Sequence, residues 1–333
     1  MNAVRSLFRN PPLLTFVLVA LVWLVASLTL RGFGAYGHLR YLLELAAVIG
    51  IVAAGQTLVI LMGGIDLSVG AVMAICGAVA AAAITSGYGL VATLLVTLGT
   101  GILCGLWNGI LVAVLDIQPI IATLVLMVAG RGIAQLITEG AILTFNDPGL
   151  IFIGGGSFFG LPMPVVIWLV FGIVVALVVR RSALGMLIEA LGINRRASML
   201  SGVSTGVLLI AAYVLSGLCA AIAGTIAAAD IRGADANNAG LWLELDAILA
   251  VVVGGNSLLG GRFSIAASLL GALIIQSVNT GILLSGFPPE FNLIIKAAII
   301  VLILVIQSPR AQSAFVFLSR SRQKAATSGE EAK

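Results

Sequence analysis

Charge is what this sequence has least of. Only 9% of its 333 residues are Asp, Glu, Lys or Arg, and it holds one histidine and three cysteines. A soluble domain carries about 25% charged residues, so a water-soluble enzyme is excluded. His38 alone cannot build a histidine-based metal centre or a Ser-His-Asp triad. No lysine follows a glycine, so the G-x-x-x-x-G-K-[ST] phosphate loop is absent. No catalytic or metal-binding residues are therefore assigned, and no cofactor is expected on this chain. If ATP drives its work, a different chain binds the nucleotide. Cys76, Cys104 and Cys219 each lie inside an apolar run, where a thiol behaves as a small hydrophobe, and they say nothing of redox compartment. The net charge of +4 comes from short arginine clusters, not from a basic stripe with interleaved aromatics, so nucleic acid is excluded as a partner.

What the chain has is apolar length. Its apolar share is 61% and its mean hydropathy +1.20. A bilayer-spanning helix needs about 20 apolar residues, so this content fills about ten spans. Apolar runs lie at about 13–30, 41–62, 70–86, 90–115, 119–138, 163–180, 204–228, 241–258, 263–284 and 291–307. The first is longer than the ~7–15 residues of a cleaved signal core and has no clean A-x-A-like site, so it reads as a span. With the N-terminus inside, twelve cationic residues fall on cytoplasmic segments and three (Arg31, Arg40 and Arg232) on outer loops. That is the positive-inside pattern. Both termini then face the cytoplasm, and the expectation is an all-α polytopic membrane protein. It comprises one transmembrane domain over 1–308 and a polar cytoplasmic tail over 309–333.

Several motifs stand out against this background. GGIDLSVG (63–70) and GGNSLLGG (254–261) share Gly, Gly, Leu and Gly at one spacing, a weak internal repeat of the kind transporters carry. Gly101, Gly105 and Gly109 mark one helix face every four residues, which lets a neighbouring backbone approach closely. Whether that neighbour belongs to this chain or to a partner is open. Asn108, Gln118, Arg131, Gln135, Asn256, Gln276, Asn279 and Lys296 are polar residues in or beside apolar runs. Neutral amides suit a path from which a neutral polar solute must leave again, so Asn108, Gln276 and Asn279 are the path candidates. Hydrogen bonding between helices explains each of them equally well. Arg131 and Lys296 are assigned to structural pairing. Asp66, Glu244 and Asp246 stand where helices should begin, so capping of N–H groups is expected of them. At a two-residue spacing, Glu244 and Asp246 make no general acid/base pair. The outer loop 139–162 is expected to be an ordinary lid of the bundle, in preference to a re-entrant piece.

The inner loop 181–203 is the sharpest local signal. Asn194 is a good helix N-cap and Gly202 a good terminator, with RRASMLS between them. Leu187, Ile188, Leu191 and Ile193 make the upstream part apolar on one side. A short helix rimmed by arginines suits a groove on a cytoplasmic protein or a surface of anionic lipid, and composition does not choose between them.

Four ordered segments, GGIDLSVGAVMA (63–74), GLWNGILVAVLDIQPIIATL (105–124), EALGINRRASMLSGV (189–203) and ELDAILAVVVGGNSLLGG (244–261), resemble the permease subunits of ABC-type sugar importers. These belong to the ribose and branched-chain amino-acid permease superfamily, with a type II ABC importer-like fold, and the resemblance covers residues 41–308. Residues 228–248 and 279–292 look most like the galactofuranose permease branch. The resemblance implies a monosaccharide path working by alternating access in the bacterial inner membrane. It further implies a second permease subunit (the same or a related chain), a periplasmic sugar-binding protein, and cytoplasmic ATPases that hold ATP and Mg. It makes 189–203 the loop that meets the ATPase, through Glu189, Ala190, Gly192, Asn194, Arg195, Arg196, Ala197 and Gly202, with Ser198 in place of a more usual alanine. Rival readings are the same role for another sugar, such as ribose, and a secondary sugar transporter that works without ATP. Proton coupling in the latter would ask for carboxylates buried mid-span, and the acids here lie near span ends or breaks.

Overall fold

The computed structural model describes residues 11–257, 263–288 and 290–307. The expected N-terminal cations Arg5 and Arg9, Arg262, the second glycine motif beyond Ser257 and the 309–333 tail lie outside the described residues. The chain divides into two units, residues 1–281 and 282–333.

The first unit opens with α1 (Pro11–Thr29), α2 (Tyr36–Leu61), α3 (Val69–Thr85), α4 (Leu90–Ala113) and α5 (Pro119–Ile137). After strand β1 (Leu143–Thr144) come the eight-residue α6 (Pro148–Gly155) and the hairpin β2 (Ser157–Phe158) and β3 (Leu161–Pro162). Helices α7 (Met163–Arg181), α8 (Ala183–Ile193), α9 (Arg195–Leu200) and α10 (Thr205–Asp230) follow. Strand β4 (Gly233–Ala234) pairs antiparallel with β1, and α11 (Leu243–Val253) and α12 (Ile265–Leu284) complete the order, α12 running into the second unit. That second unit contains α13 (Phe291–Gln307), which carries a buried Lys296, and the Phe287 and Phe291 rings 5.5 Å apart.

Every apolar run of the sequence becomes a helix, but their lengths differ. Among the described residues, seven helices are long and apolar enough to cross a membrane. The runs at 70–86, 241–258 and 291–307 form helices of 17, 11 and 17 residues. At 1.5 Å per residue, α11 reaches about 16 Å, half of a ~30 Å hydrocarbon core. Glycine pairs set these limits. Gly63, in the left-handed region at φ 78°, stops α2 after Leu61, and Gly254–Gly255 stop α11.

Burial separates inner from outer helices. From Ile49 to Leu61 every residue of α2 is buried, so this half of the helix is enclosed by protein on all sides. Helices α1, α4, α5 and α7 instead show rows of exposed Leu, Val and Ile, the expected surface of a helix in lipid. Helix α10 is the hub of the unit. A methyl group on Gly101 would stand 2.5 Å from the Gly217 carbonyl oxygen, and one on Gly109 would stand 2.9 Å from the Ile210 Cα. One on Gly105 would strike the Tyr213 carbonyl and stand 2.8 Å from the Val214 Cα. The glycine face of α4 thus lies on α10 of the same chain. On its other sides, α10 meets Gly55 of α2 through Ser216 and Cys219, and Met73 of α3 through Gly224. Cys76 and Cys219 are fully enclosed and Cys104 is half-buried, all three as free thiols.

Candidate functional site

Helix α10 is 26 residues long, or about 38 Å, and different chemistry gathers at its two ends. At the Asp230 end a cavity of about 430 Å³ opens between α2, α3, α10, α11 and α12. Its polar lining includes Glu44 of α2, Asp230 of α10, Asp246 of α11, and Gln276 and Asn279 of α12. The segment after α10 adds Asp235 and Asn238. Val48, Ile49, Met73 and Ile226 supply an apolar wall. Asn279 Nδ2 donates to Gln276 Oε1 at 3.3 Å, and Gln276 Nε2 donates to Thr280 Oγ1 at 3.4 Å. The buried Oδ1 of Asn279 accepts no hydrogen bond among the described residues.

The rim of this cavity is held in place from several directions. Arg131 Nη1 on α5 donates to the carbonyls of Ala236 (3.0 Å) and Ala239 (2.6 Å). Gln135, one helical turn on, donates to Asn237 Oδ1 at 2.9 Å. The β1–β4 pairing and the Phe145 N–H to Arg232 carbonyl bond tie the same segment to residues 143–145. Asp235 folds the segment on itself, accepting from Asn238 Nδ2 at 2.7 Å and from the backbone N–H groups of Asn237 and Asn238. The Asn238 amide, then those backbone donors and the Arg131 charge, hold the Asp235 carboxyl below the usual carboxylate range. Arg131 therefore binds backbone carbonyls. The loop 139–162 folds into α6, capped by Asp147 accepting from the Leu150 N–H at 2.9 Å, and the β2–β3 hairpin.

Of the acids expected at helix starts, Asp66 accepts a backbone N–H just before α3, and Glu244 and Asp246 lie in the first turn of α11, but each also makes contacts beyond its own helix. Asp66, 1% exposed, accepts from the Ser68 N–H (3.0 Å), the Ser68 hydroxyl (2.6 Å) and the Ser216 hydroxyl of α10 (2.7 Å). Gln56 brackets its backbone, donating to the Asp66 carbonyl at 3.3 Å and accepting from its N–H at 3.2 Å. Asn108 Nδ2 donates to Ser68 Oγ at 2.8 Å, so Asn108 belongs to this cluster and stands apart from the cavity that Gln276 and Asn279 line. Helix α11 begins at Trp242 in the left-handed region with no side-chain cap. Glu244 packs on Gly70, where a methyl group would stand 2.7 Å from Oε2, while Asp246 faces the cavity.

At the Thr205 end of α10 lie α8 and α9. Asn194, extended at φ −156°, ends α8 and starts α9, its Oδ1 accepting from the Ala197 N–H at 3.0 Å. Gly202 leaves α9 in the left-handed region at φ 84°. Ile188 and Leu191 pack inward with Leu208 and Tyr213. Outward, Met186, Ile193, Met199 and Leu200 are exposed beside Arg195 and Arg196. Arg195 pairs with Asp116 of the α4–α5 loop at 3.7 Å, an exposed contact worth little by itself. The surface is apolar and cationic together, with Glu189 set at the edge of a second hollow beside Arg180 and Arg181.

A partly open cavity with polar groups in its lining at one end of a bundle whose outer helices expose apolar rows, and an exposed basic helix pair at the other, define a polytopic membrane transport subunit. The matching family model is described as branched-chain amino acid transport system / permease component and covers residues 39–304, so the chain belongs to that family. It is 59% identical over 305 residues to the galactofuranose transporter permease protein YtfT of Escherichia coli K12, covering 90% of this chain and 89% of that one. Identity to the fructose import permease protein FruF of Bifidobacterium longum is 40%, over 87% and 82% of the two chains. The ribose import permease protein RbsC of E. coli K12 is 37% identical over 88% and 92%. No solved structure matches the chain.

Glu44, Asp230, Asp235, Asp246 and Asn238 were not among the residues the sequence marked as a path. One signal was present: residues 230–238 place two aspartates, an arginine and two asparagines within nine positions of an otherwise apolar chain.

Proposed function

We propose that this chain is the permease subunit of an ATP-driven ABC importer for a monosaccharide, galactofuranose or a close relative. The observation that carries the reading is likeness along nine-tenths of the chain to a permease named for galactofuranose. Relatives named for fructose and ribose support the same role for another sugar as the second reading.

In this proposal the chain sits in the bacterial inner membrane with both termini cytoplasmic and residues 1–308 forming one permease domain. A binding protein delivers sugar to the Asp230 end, a second permease subunit completes the path, and ATPases holding ATP and Mg dock on α8–α9. Glu189, Ala190, Gly192, Asn194, Arg195, Arg196, Ala197 and Gly202 make the docking surface. Its exposed Met186, Ile193 and Leu200 supply apolar contact and its arginines supply charge complementarity. Closure of the ATPase pair drags this surface, and α10 carries the displacement toward the cavity as a rigid rod. Gln276 and Asn279 line the path, whereas Asn108 positions the break at Asp66. No covalent bond of the sugar changes.

Purification of the chain from its own host, with co-purifying subunits identified by mass and sugar uptake measured in vesicles, tests the proposal. An ABC-type ATPase beside a second, related permease is the expected result, with uptake dependent on ATP. An ATPase-free oligomer that still passes sugar would replace the importer reading with a secondary transporter. Asn194→Pro, or alanine at both Arg195 and Arg196, is expected to lower ATP-driven uptake at least tenfold while membrane insertion survives. Normal uptake by both variants would remove the docking role.

A further inference from the structure

The loop 139–162 carries a feature that a lid of the bundle does not need. Its β2–β3 hairpin turns through Phe159 and Gly160, both in the left-handed region at φ 49° and 81°. A two-residue turn of this kind favours Asn-Gly, and a bulky ring at its first position is a local cost. Packing within the chain does not offset it. Phe159 is 93% exposed and meets the Phe158 ring edge-on at 4.7 Å, with Phe158 itself exposed. Leu161, opposite Phe158 in the ladder, is exposed as well.

The place of this tip along the chain says what covers it. Helix α7 starts at Met163, directly after the hairpin, and ends on Arg180 and Arg181. Its 19 residues span about 28 Å, close to the ~30 Å hydrocarbon core. With the arginines in one headgroup layer, Met163 therefore stands at the other. Phe159 precedes Met163 by four positions, so its Cα lies at most about 14 Å away. Helix α7 exposes Val170, Ile173, Val174 and Leu177, and between Asp147 and Arg180 the sequence has no Asp, Glu, Lys, Arg or His. A patch for a transient protein partner draws on charge complementarity. The boundary between headgroups and acyl chains asks for apolar rings beside a polar layer.

We infer that the β2–β3 hairpin is a lipid anchor, with the Phe158 and Phe159 rings set in the headgroup–acyl boundary of the leaflet at the Asp230 end. This goes beyond the transport role and holds for whichever solute is carried. The anchor is joined to the cavity through α6, which directly precedes it. A methyl group on Gly154 of α6 would strike the Ala229–Asp230 peptide of α10. The hairpin thus ties the cavity-lining end of α10 to the plane of the membrane.

The test uses the full chain, with the subunits that co-purify, in nanodiscs. Phe159→Trp and, as an independent reporter, Phe158→Trp each add an emitter at the tip. The added emission is read as a difference from the unaltered protein, whose own tryptophans give a constant background. Two quenchers are compared: phosphatidylcholine brominated just below its headgroup, and iodide in the water. Bromolipid is expected to quench the added emission at least threefold more than iodide does. With Phe158→Trp as reporter, Phe159→Leu should keep that ratio. Phe159→Asn, which suits the turn better than Phe, should lower it at least twofold while the protein stays assembled. Iodide quenching equal to bromolipid quenching at both reporters would put the tip in water and overturn the anchor. Shielding from iodide that appears only on adding the host's sugar-binding protein would overturn it too, and make the tip a protein-docking site. A ratio unchanged by Phe159→Asn would also overturn it.

Discussion

The two glycine-marked breaks solve one problem with opposite chemistry. Between α2 and α3 the break is held by a carboxylate, and between α11 and α12 by an amide. Asn256, 4% exposed, closes its own break: Nδ2 donates to the Val251 carbonyl (3.1 Å) and Ser268 Oγ (2.8 Å), and Oδ1 accepts from the Ser264 N–H (2.7 Å). An amide both donates and accepts, so a single side chain bridges the two flanks. Asp66 can only accept, and its donors come from elsewhere: Ser216 on α10 directly, and Asn108 on α4 through Ser68. The first break is thus wired to α4 and α10 through its carboxylate, whereas Asn256 spans the second by itself and Thr15 Oγ1 of α1 adds a bond to the Gly254 carbonyl at 3.2 Å. They meet at one point, where Thr57 Oγ1 and Ser268 Oγ are 2.7 Å apart.

The sharpest way to break this contrast is to part α4 from α10. Gly105→Leu drives a side chain into the Tyr213 carbonyl and Val214 and pulls Asn108 and Ser216 away from the first break while sparing the second. Overpacking of this kind costs about 3 kcal/mol or more, and loss of the monodisperse peak in detergent chromatography is the expected readout. An intact, active complex would show that the glycine face is not a seam. Asp66→Ala follows, leaving two hydroxyls and an N–H without their acceptor, at about 3 kcal/mol. Asn256→Ala should cost less, about 2 kcal/mol, because the group removed is a neutral amide and not a carboxylate. Thermal unfolding of both variants in one detergent gives the order, and a larger shift for Asn256→Ala would mean the neutral lock is the stronger. Thr57→Val, which removes the link between the breaks together with the bond from Thr57 Oγ1 to the Ala53 carbonyl of its own helix, is expected to cost about 1 kcal/mol. A larger shift would show that the two breaks melt together.

Much of this was legible along the chain because it is local. Apolar runs set where helices lie, Asn194 and Gly202 bound α9 through contacts three residues apart, and the glycine spacing marked a close-packed face. What receives that face was not legible, since the receiving atoms on α10 are backbone carbonyls and Cα atoms that any sequence supplies. The expectation that Asp66 caps a helix missed Ser216, its partner 150 residues on. The acidic cavity stayed hidden for the same reason. Glu44 and Asp246 stand about two hundred positions apart and meet only through the fold. Helix number was legible as apolar length, but glycine pairs shortened α11 to 11 residues, which hydropathy alone does not register.

The burial of the thiols has a practical side. Water-borne maleimides reach neither Cys76 nor Cys219, since both are sealed between helices, and of the native thiols only Cys104 is partly accessible. With Cys104 replaced by serine, a single cysteine introduced at Ala190 or Asn238 becomes the one labelling position of an otherwise unaltered chain. A fluorophore or spin label at either end of α10 then reports its own end in real time.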